Sequence, residues 1–310
     1  MGRLHNRVNK LVTFLLVSFF SFVSFGNYAA QKQNSSTDGI RTSLVVSRTA
    51  ILPYESPSII LLLRNESPED KRVVAAWCSF VTIGETTTDG IKWHGYHGDN
   101  ETSSKPCIAT PKTLAPSESE VMRNHIDFES PSGQHVFAHP GEYFLKGGTT
   151  DANSNFTSEA VKITVRRPQG IDAKAYAFLQ AGDLPYFLGE YTIEKYNYNA
   201  KTVEDLEKFI ASFDGSEYSY LARMGLAFMW LRGVDGKQDK VRARELFGQV
   251  ANCPDAALAA AAEYHLGIVL YDPHSPLGLT QANNHLQRVV AGNAPPYYKY
   301  LAEEALRSRY

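Results

Sequence analysis

Apolar and polar residues alternate along the first half of this chain, whereas in the second half apolar residues return every third or fourth position. Alternation marks half-buried strands, and the longer spacing marks one face of a helix. The change falls between Val165 and Asp172, across Val165-Arg166-Arg167-Pro168-Gln169-Gly170. The pattern predicts an all-β module over 41–167 and an all-α module over 171–310. Strands are expected at Ser43–Arg48, Ser58–Arg64, Val73–Ile83, Glu120–Phe128, Glu142–Lys146 and Ala160–Arg166. Turn-forming runs such as Pro53-Tyr54-Glu55-Ser56-Pro57 and Ser130-Pro131-Ser132-Gly133 separate them. Val73–Ile83 is apolar at successive positions, as a central strand would be.

In the second half Asp172 is placed to cap a helix over Ala173–Gln180, and Thr202 to cap one over Val203–Phe213. Further on, Met224-Gly225 followed by Phe228 recurs as Leu266-Gly267 followed by Leu270. Each phrase is followed by a small-large-aliphatic series, Ala243, Phe247 and Val250, then Ala282, Leu286 and Val289. Small residues let helices approach closely, and large ones fill the groove between them.

Two resemblances follow from these phrases. Phe137-Ala138-His139-Pro140-Gly141-Glu142-Tyr143 resembles the stretch that opens a late strand in immunoglobulin-like and fibronectin type III-like sandwiches. That likeness implies an Ig-like β-sandwich in which Tyr143 anchors its hydroxyl to nearby backbone as a tyrosine corner. The repeat resembles the tetratricopeptide family and the related Sel1-like repeats, whose helical stacks are protein-binding scaffolds. It implies packing roles for Gly225, Phe228, Ala243, Phe247, Gly267, Leu270, Ala282 and Leu286. The fold class expected is thus a two-domain chain, an Ig-like sandwich followed by a TPR/Sel1-like helical domain.

The first thirty residues change where this chain is expected to reside. Arg3, Arg7 and Lys10 precede an apolar run from Leu11 to Phe25, and small residues, Gly26, Ala29 and Ala30, follow. That order is a secretory signal over 1–30, with 31–40 a polar lead without structure. The mature chain is expected in an exported compartment, periplasmic, cell-surface or extracellular. Membrane contact would come only from an uncleaved signal, since the run is short for a span of about 20 residues. With 43% hydrophobic and 21% charged residues and a net charge of −2, the rest reads as globular. No basic stripe points to nucleic acid. Export permits a disulfide, and Cys78 with Cys107 is the pairing expected; Cys253 sits before Pro254 in an inter-helix turn. Sequons occur at Asn34, Asn65, Asn100 and Asn155.

The chemistry-bearing residues are few. Trp93-His94-Gly95-Tyr96-His97-Gly98-Asp99 joins two histidines, a carboxylate and two aromatic rings. Three readings stand side by side: a metal site on His94, His97 and Asp99, a sugar or partner contact on Trp93 and Tyr96, or a hairpin tip. His135 and His139 would share a strand face. Nucleophile elbows, phosphate-cradling glycine loops and paired Cys-x-x-Cys motifs are absent from the sequence. The expectation is an exported, non-catalytic interaction protein whose helical groove takes a peptide or partner protein, with no cofactor and no metal. The alternatives are an extracellular carbohydrate binder using 93–99 and a metal-dependent hydrolase at the same loop.

Overall fold

The computed structural model describes residues 34–37, 39–76, 79–87, 90–96, 109–125, 135–150, 155–182, 184–189 and 199–308. Twelve strands are formed among them: β1 (Asn34–Thr37), β2 (Ile40–Val46), β3 (Ala50–Ile51), β4 (Ser58–Asn65), β5 (Lys71–Ala76), β6 (Ser79–Thr87), β7 (Gly90–Tyr96), β8 (Ala109–Leu114), β9 (Ser119–His125), β10 (Gly141–Thr150), β11 (Asn155–Thr157) and β12 (Val161–Val165). Seven α-helices follow: α1 (Gly170–Leu179), α2 (Ala200–Ser212), α3 (Glu217–Arg232), α4 (Lys240–Ala251), α5 (Ala256–Leu270), α6 (Pro276–Ala291) and α7 (Pro296–Arg307). A short 3-10 turn, Leu184–Phe187, lies between α1 and α2.

The strands form three sheets rather than two. One runs β1-β2-β4-β9, a second β3-β12-β10-β6-β7 with β11 also on β10, and β5 and β8 make a separate ribbon. All pairs are antiparallel except β3 with β12. The β1-β2-β4-β9 sheet lies between the second sheet and the helices. Leu44, Val46, Ile59 and Leu61 point to the second sheet, where they meet Val81, Ile83, Leu145 and Ile163. Ile60, with Val45, Leu62 and Val121 beside it, points the other way, into one core with Leu206, Leu221, Met224 and Leu301 from the helices.

This corrects the expected fold class. The strands are not a self-contained, two-sheet Ig-like sandwich, because a sheet apolar on both faces needs a second cover and the helices supply it. Gln33–Tyr310 is one compact unit with a core common to strands and helices. The run Val73–Ile83 is also not one central strand. It divides between β5 and β6 in different sheets, and its residues feed two cores, Val73 with Ile40, Leu63, Leu114 and Phe156, and Val81 and Ile83 with the second sheet. The lead expected to lack structure contributes β1, paired to β2, and the buried Ile40.

Helix ends follow ordinary chemistry. Asn199, Ser216, Asp239, Asp255 and Ser275 each accept a backbone N–H in the first turn, and Pro276 and Pro296 open their helices. Asn199 takes the place expected of Thr202, whose N–H it receives at 2.9 Å. The expected likeness to tetratricopeptide or Sel1-like repeats fails at its glycines. A Cβ on Gly225 would lie 1.8 Å from the Phe187 carbonyl oxygen, so α3 crosses the 3-10 turn there. At Gly267 it would meet Leu286 at 2.7 Å, so α5 crosses α6. The two glycines admit unlike neighbours. Phe228 packs edge-on to Phe247 at 5.3 Å, Leu270 is half-buried, and Ala243, Phe247, Ala282 and Leu286 are fully buried.

These environments set opposite expectations for two glycine substitutions. Gly225→Ala forces α3 off the 3-10 turn and should cost about 1–3 kcal/mol or more. Gly248 lies inside α4 with open space around its Cβ position, so Gly248→Ala should gain about 0.5–1 kcal/mol. Urea unfolding of both variants checks the pair. Equal effects would show that the close approach at Gly225 is absent.

Candidate functional site

Helices α2, α3 and α4 leave a cleft of about 460 Å³ between them. Its lining repeats at helical spacing on each element: Glu207, Ile210, Ala211 and Asp214 from α2 and the residues just after it, Arg223 and Leu226 from α3, and Arg242, Leu246 and Gln249 from α4. Leu226 and Leu246 are buried beneath, while Ile210 and Ala211 reach the surface. Arg223 is held from two sides. It donates through Nη1 to Ser219 Oγ and through Nε to Gln249 Oε1, both at 3.0 Å, and stands 5.4 Å from the Tyr220 ring centre. Its Nη2 donates to Asp214 Oδ1 at 2.6 Å. That hydrogen bond, with the charge behind it, holds the Asp214 carboxyl below its usual range. Arg242 reaches Glu207 and Glu245 at 3.4 and 3.3 Å. The cleft is therefore lined in equal part by apolar and polar surface, with Glu207 and Asp214 pairing the two guanidiniums at its edges. Among the described residues it presents no histidine or thiol for catalysis.

A second polar cluster, centred on the buried Arg48 and Glu55 and reaching the surface at Asp255 and Arg166, joins the strands to the helices. Arg48, between β2 and β3, donates to Glu55 and, through Nη2, to Glu217 at 2.8 Å and Asp255 at 2.7 Å. Arg166 grips both oxygens of Glu217, at 2.8 and 2.6 Å. Asp172 does not cap its own helix; it accepts the Glu217 N–H at 2.8 Å and so helps to start α3. Burial alone would lower the Arg48 pKa, but the fields of Glu55, Asp255 and Glu217 outweigh it and keep the guanidinium charged. Burial is also the largest influence on Glu55 and pushes its carboxyl up to about 7 against the pull of Arg48. Burial raises the Asp172 carboxyl, the Cys253 thiol and the Tyr218 hydroxyl as well. His135, buried where its ring meets Tyr54 edge-on at 5.2 Å, is pushed down to about 3.

The loop expected to carry chemistry is in part a strand. Trp93, His94 and Tyr96 stand on β7, opposite Gly84, Ile83 and Val81 of β6. The half-buried Trp93 indole lies across bare Gly84, where a Cβ would come within 3.0 Å, and Lys146 Nζ sits 4.5 Å from its ring centre. The side chains of His94 and Tyr96, and His97 and Asp99 entirely, lie outside the described residues, as do Cys78 and Cys107. Cys253 is a buried free thiol. Among the described residues no three His, Cys, Asp or Glu side chains are grouped to hold a metal ion. The Tyr143 hydroxyl donates to the His139 carbonyl at 3.0 Å. His139 is exposed, so His135 and His139 do not form a site. Asn65 is buried and donates to the carbonyls of Glu69 and Leu114, which closes that sequon to a glycan. Tyr297 and Tyr298 are buried in the helical core.

The cleft and the ionic cluster were both missed from sequence. The available signal for the cleft was the 207/210/211/214 and 242/246/249 spacing of mixed polar and apolar residues. The cluster joins residues from Arg48 to Asp255, and nothing local announces it.

No protein-family model matches this chain, and no curated protein does. Partial overlaps exist with solved structures. One is a β-glucosidase from Listeria innocua in complex with gluconolactone, 13% identical over 43% of this chain and 17% of that one, with a TM-score of 0.26. Another is the sporulation control protein Spo0M of Bacillus subtilis, 9% identical over 47% and 56%, with a TM-score of 0.28. A third is the Pseudomonas fluorescens alkylpurine DNA glycosylase AlkC bound to DNA, 12% identical over 43% and 32%, with a TM-score of 0.26. The aligned part is a minority of the first of these chains, and overlaps this loose assign neither fold nor activity.

The two buried titrating groups give opposite pH slopes. His135 stays neutral in the folded chain, so its contribution is present above its ordinary value of 6.5 and is lost as pH falls toward 3. Glu55 keeps its proton in the folded chain, so its contribution is present below 4.5 and is lost as pH rises toward 7. Between 4.5 and 6.5 the two offset each other. Relative to the parent, Glu55→Gln should therefore add a rise in stability across that window of up to about 1.4 kcal/mol per pH unit, and His135→Phe a fall of the same size. Urea unfolding at several pH values reads both slopes. Slopes parallel to the parent's would remove the assignment.

Proposed function

We propose that this chain is an exported, non-catalytic interaction protein whose helical layer binds a peptide segment of a partner protein. The cleft between α2, α3 and α4 is the observation that carries the reading. It is open, with Ile210 and Ala211 on its wall and the paired guanidiniums of Arg223 and Arg242 beside them, a mixture suited to contact with a chain segment. Export rests on the charged and apolar order of the first thirty residues. The carbohydrate reading is less favoured, since one face of the Trp93 ring lies on Gly84 and Lys146 also stands over the ring.

A displayed peptide library panned on the full chain tests the proposal. Ala211 is exposed on the cleft wall, so Ala211→Trp fills the cleft without touching the core. Peptides enriched on the parent should lose at least about tenfold in affinity on the variant, a difference of about 1.4 kcal/mol. A library yielding no peptide with that sensitivity would overturn the reading.

A further inference from the structure

We infer that a buried water molecule is bound where α1 meets α3, accepting a hydrogen bond from the Tyr218 hydroxyl and donating to the Tyr176 hydroxyl and the Asp172 carboxylate. The site is separate from the cleft and stands or falls without it. Three observations converge on it.

The first is the hydroxyl itself. Tyr218 is fully buried, and among the described residues its Oη has no hydrogen-bond partner. A hydroxyl buried unbonded works against folding by about fivefold or more, so such groups are ordinarily satisfied by protein or by ordered water. The second is its company. Tyr218 is the second residue of α3, and Asp172 of α1 accepts the N–H of Glu217, the first, at 2.8 Å. Tyr176 stands one turn further along α1, on the same face as Asp172. Burial is the largest influence on the Tyr218 hydroxyl; Tyr176 and Asp172 come next, ahead of Glu55 and Glu217, and each raises it. Polar groups that surround a hydroxyl without bonding it are the setting for a bridging water. The third is spare capacity. The Tyr176 hydroxyl donates to the Ala138 carbonyl at 2.8 Å and is bonded by Gln180, which leaves room for one further donor. Asp172 holds the backbone N–H groups of Glu217 and Tyr218, two of the roughly four acceptor positions of a carboxylate. Glu55, by contrast, already takes Arg48 on one oxygen and the Leu52 N–H on the other. A water that accepts from Tyr218 and donates to Tyr176 and Asp172 makes three bonds, the usual number for a buried one being about three. A cation in its place would face Arg48 and Arg166, both of which reach Glu217.

Two measurements on the full chain test the site. A crystal structure that shows single waters should place one about 2.5–3.0 Å from Tyr218 Oη and within hydrogen-bond reach of Tyr176 Oη and Asp172. Urea unfolding of Tyr218→Phe reads the same site through its energy. The substitution takes a partner from a bound water, so the folded-to-unfolded ratio should fall about three- to tenfold. Removing an unbonded hydroxyl would instead raise the ratio, and the sign separates the two cases. A direct bond from Tyr218 Oη to a protein group in the crystal, no water beside it, or a Tyr218→Phe variant at least as stable as the parent would overturn the site.

Discussion

The architecture turns on β4, whose Ile59-Ile60-Leu61-Leu62-Leu63 has no polar face. Ile59 and Leu61 are buried against the second sheet, and Ile60 and Leu62 against the helices. Burying a side chain of this size gains about 1.5–3 kcal/mol, so a strand with two apolar faces needs two covers. The helical layer is thereby tied to the strands: α7 lies against β2, and Glu304 on α7 pairs with Arg123 on β9. Val45 of β2 and Val121 of β9 widen the apolar surface on the helical side.

Apolar contact is permissive about angle and offset, and the Arg48 cluster supplies the missing specificity. One guanidinium reaches Glu55 beside the strands, Glu217 at the start of α3 and Asp255 at the cap of α5. Desolvating these charges is expensive, and a buried ion pair is weak evidence for net stability. Its geometry is demanding, however: only one placement of α3 and α5 brings both carboxylates to the same nitrogen. The helix starts soften the cost, since Glu217 and Asp255 sit where the helix dipole favours negative charge. Burial raises the Glu55 carboxyl, Arg48 opposes it, and the Glu217 charge adds to the rise.

The switch at Val165–Gly170 does separate strands from helices, but the two caps expected from sequence fail, since Gln169 and Asn199 hold the places given to Asp172 and Thr202. Serine, threonine, asparagine and aspartate are interchangeable as caps, so a neighbouring one can take the position, as Asn199 does. The five apolar residues of β4 predict a strand on their own; what covers its two faces is set by residues far away in the chain. Val73–Ile83 carried the same ambiguity with the opposite outcome, since a continuous apolar run can fill two faces of one strand or one face of two. Gly225 and Gly267 share a sequence phrase but not a neighbour, because a missing Cβ says that something comes close and not what it is. Trp93–Asp99 stands out by residue type, whereas the cleft is made by ordinary residues at helical spacing on three helices, a pattern with meaning only once those helices are adjacent.

Helix α3 connects the constraint to the candidate site. Its first residue is locked by Arg48, Arg166 and Asp172, its Gly225 is seated on the 3-10 turn, and its Arg223 and Leu226 line the cleft. A helix fixed at its start and at its middle has little freedom to slide, so the cleft floor is held in place. Arg223 is likewise braced by Ser219 on its own helix and by Gln249 on α4. Binding to a braced group loses less conformational freedom than binding to a mobile one. The ionic cluster that aligns strands with helices thus also fixes the helix that forms one wall of the cleft, a placement that apolar contact alone would leave free.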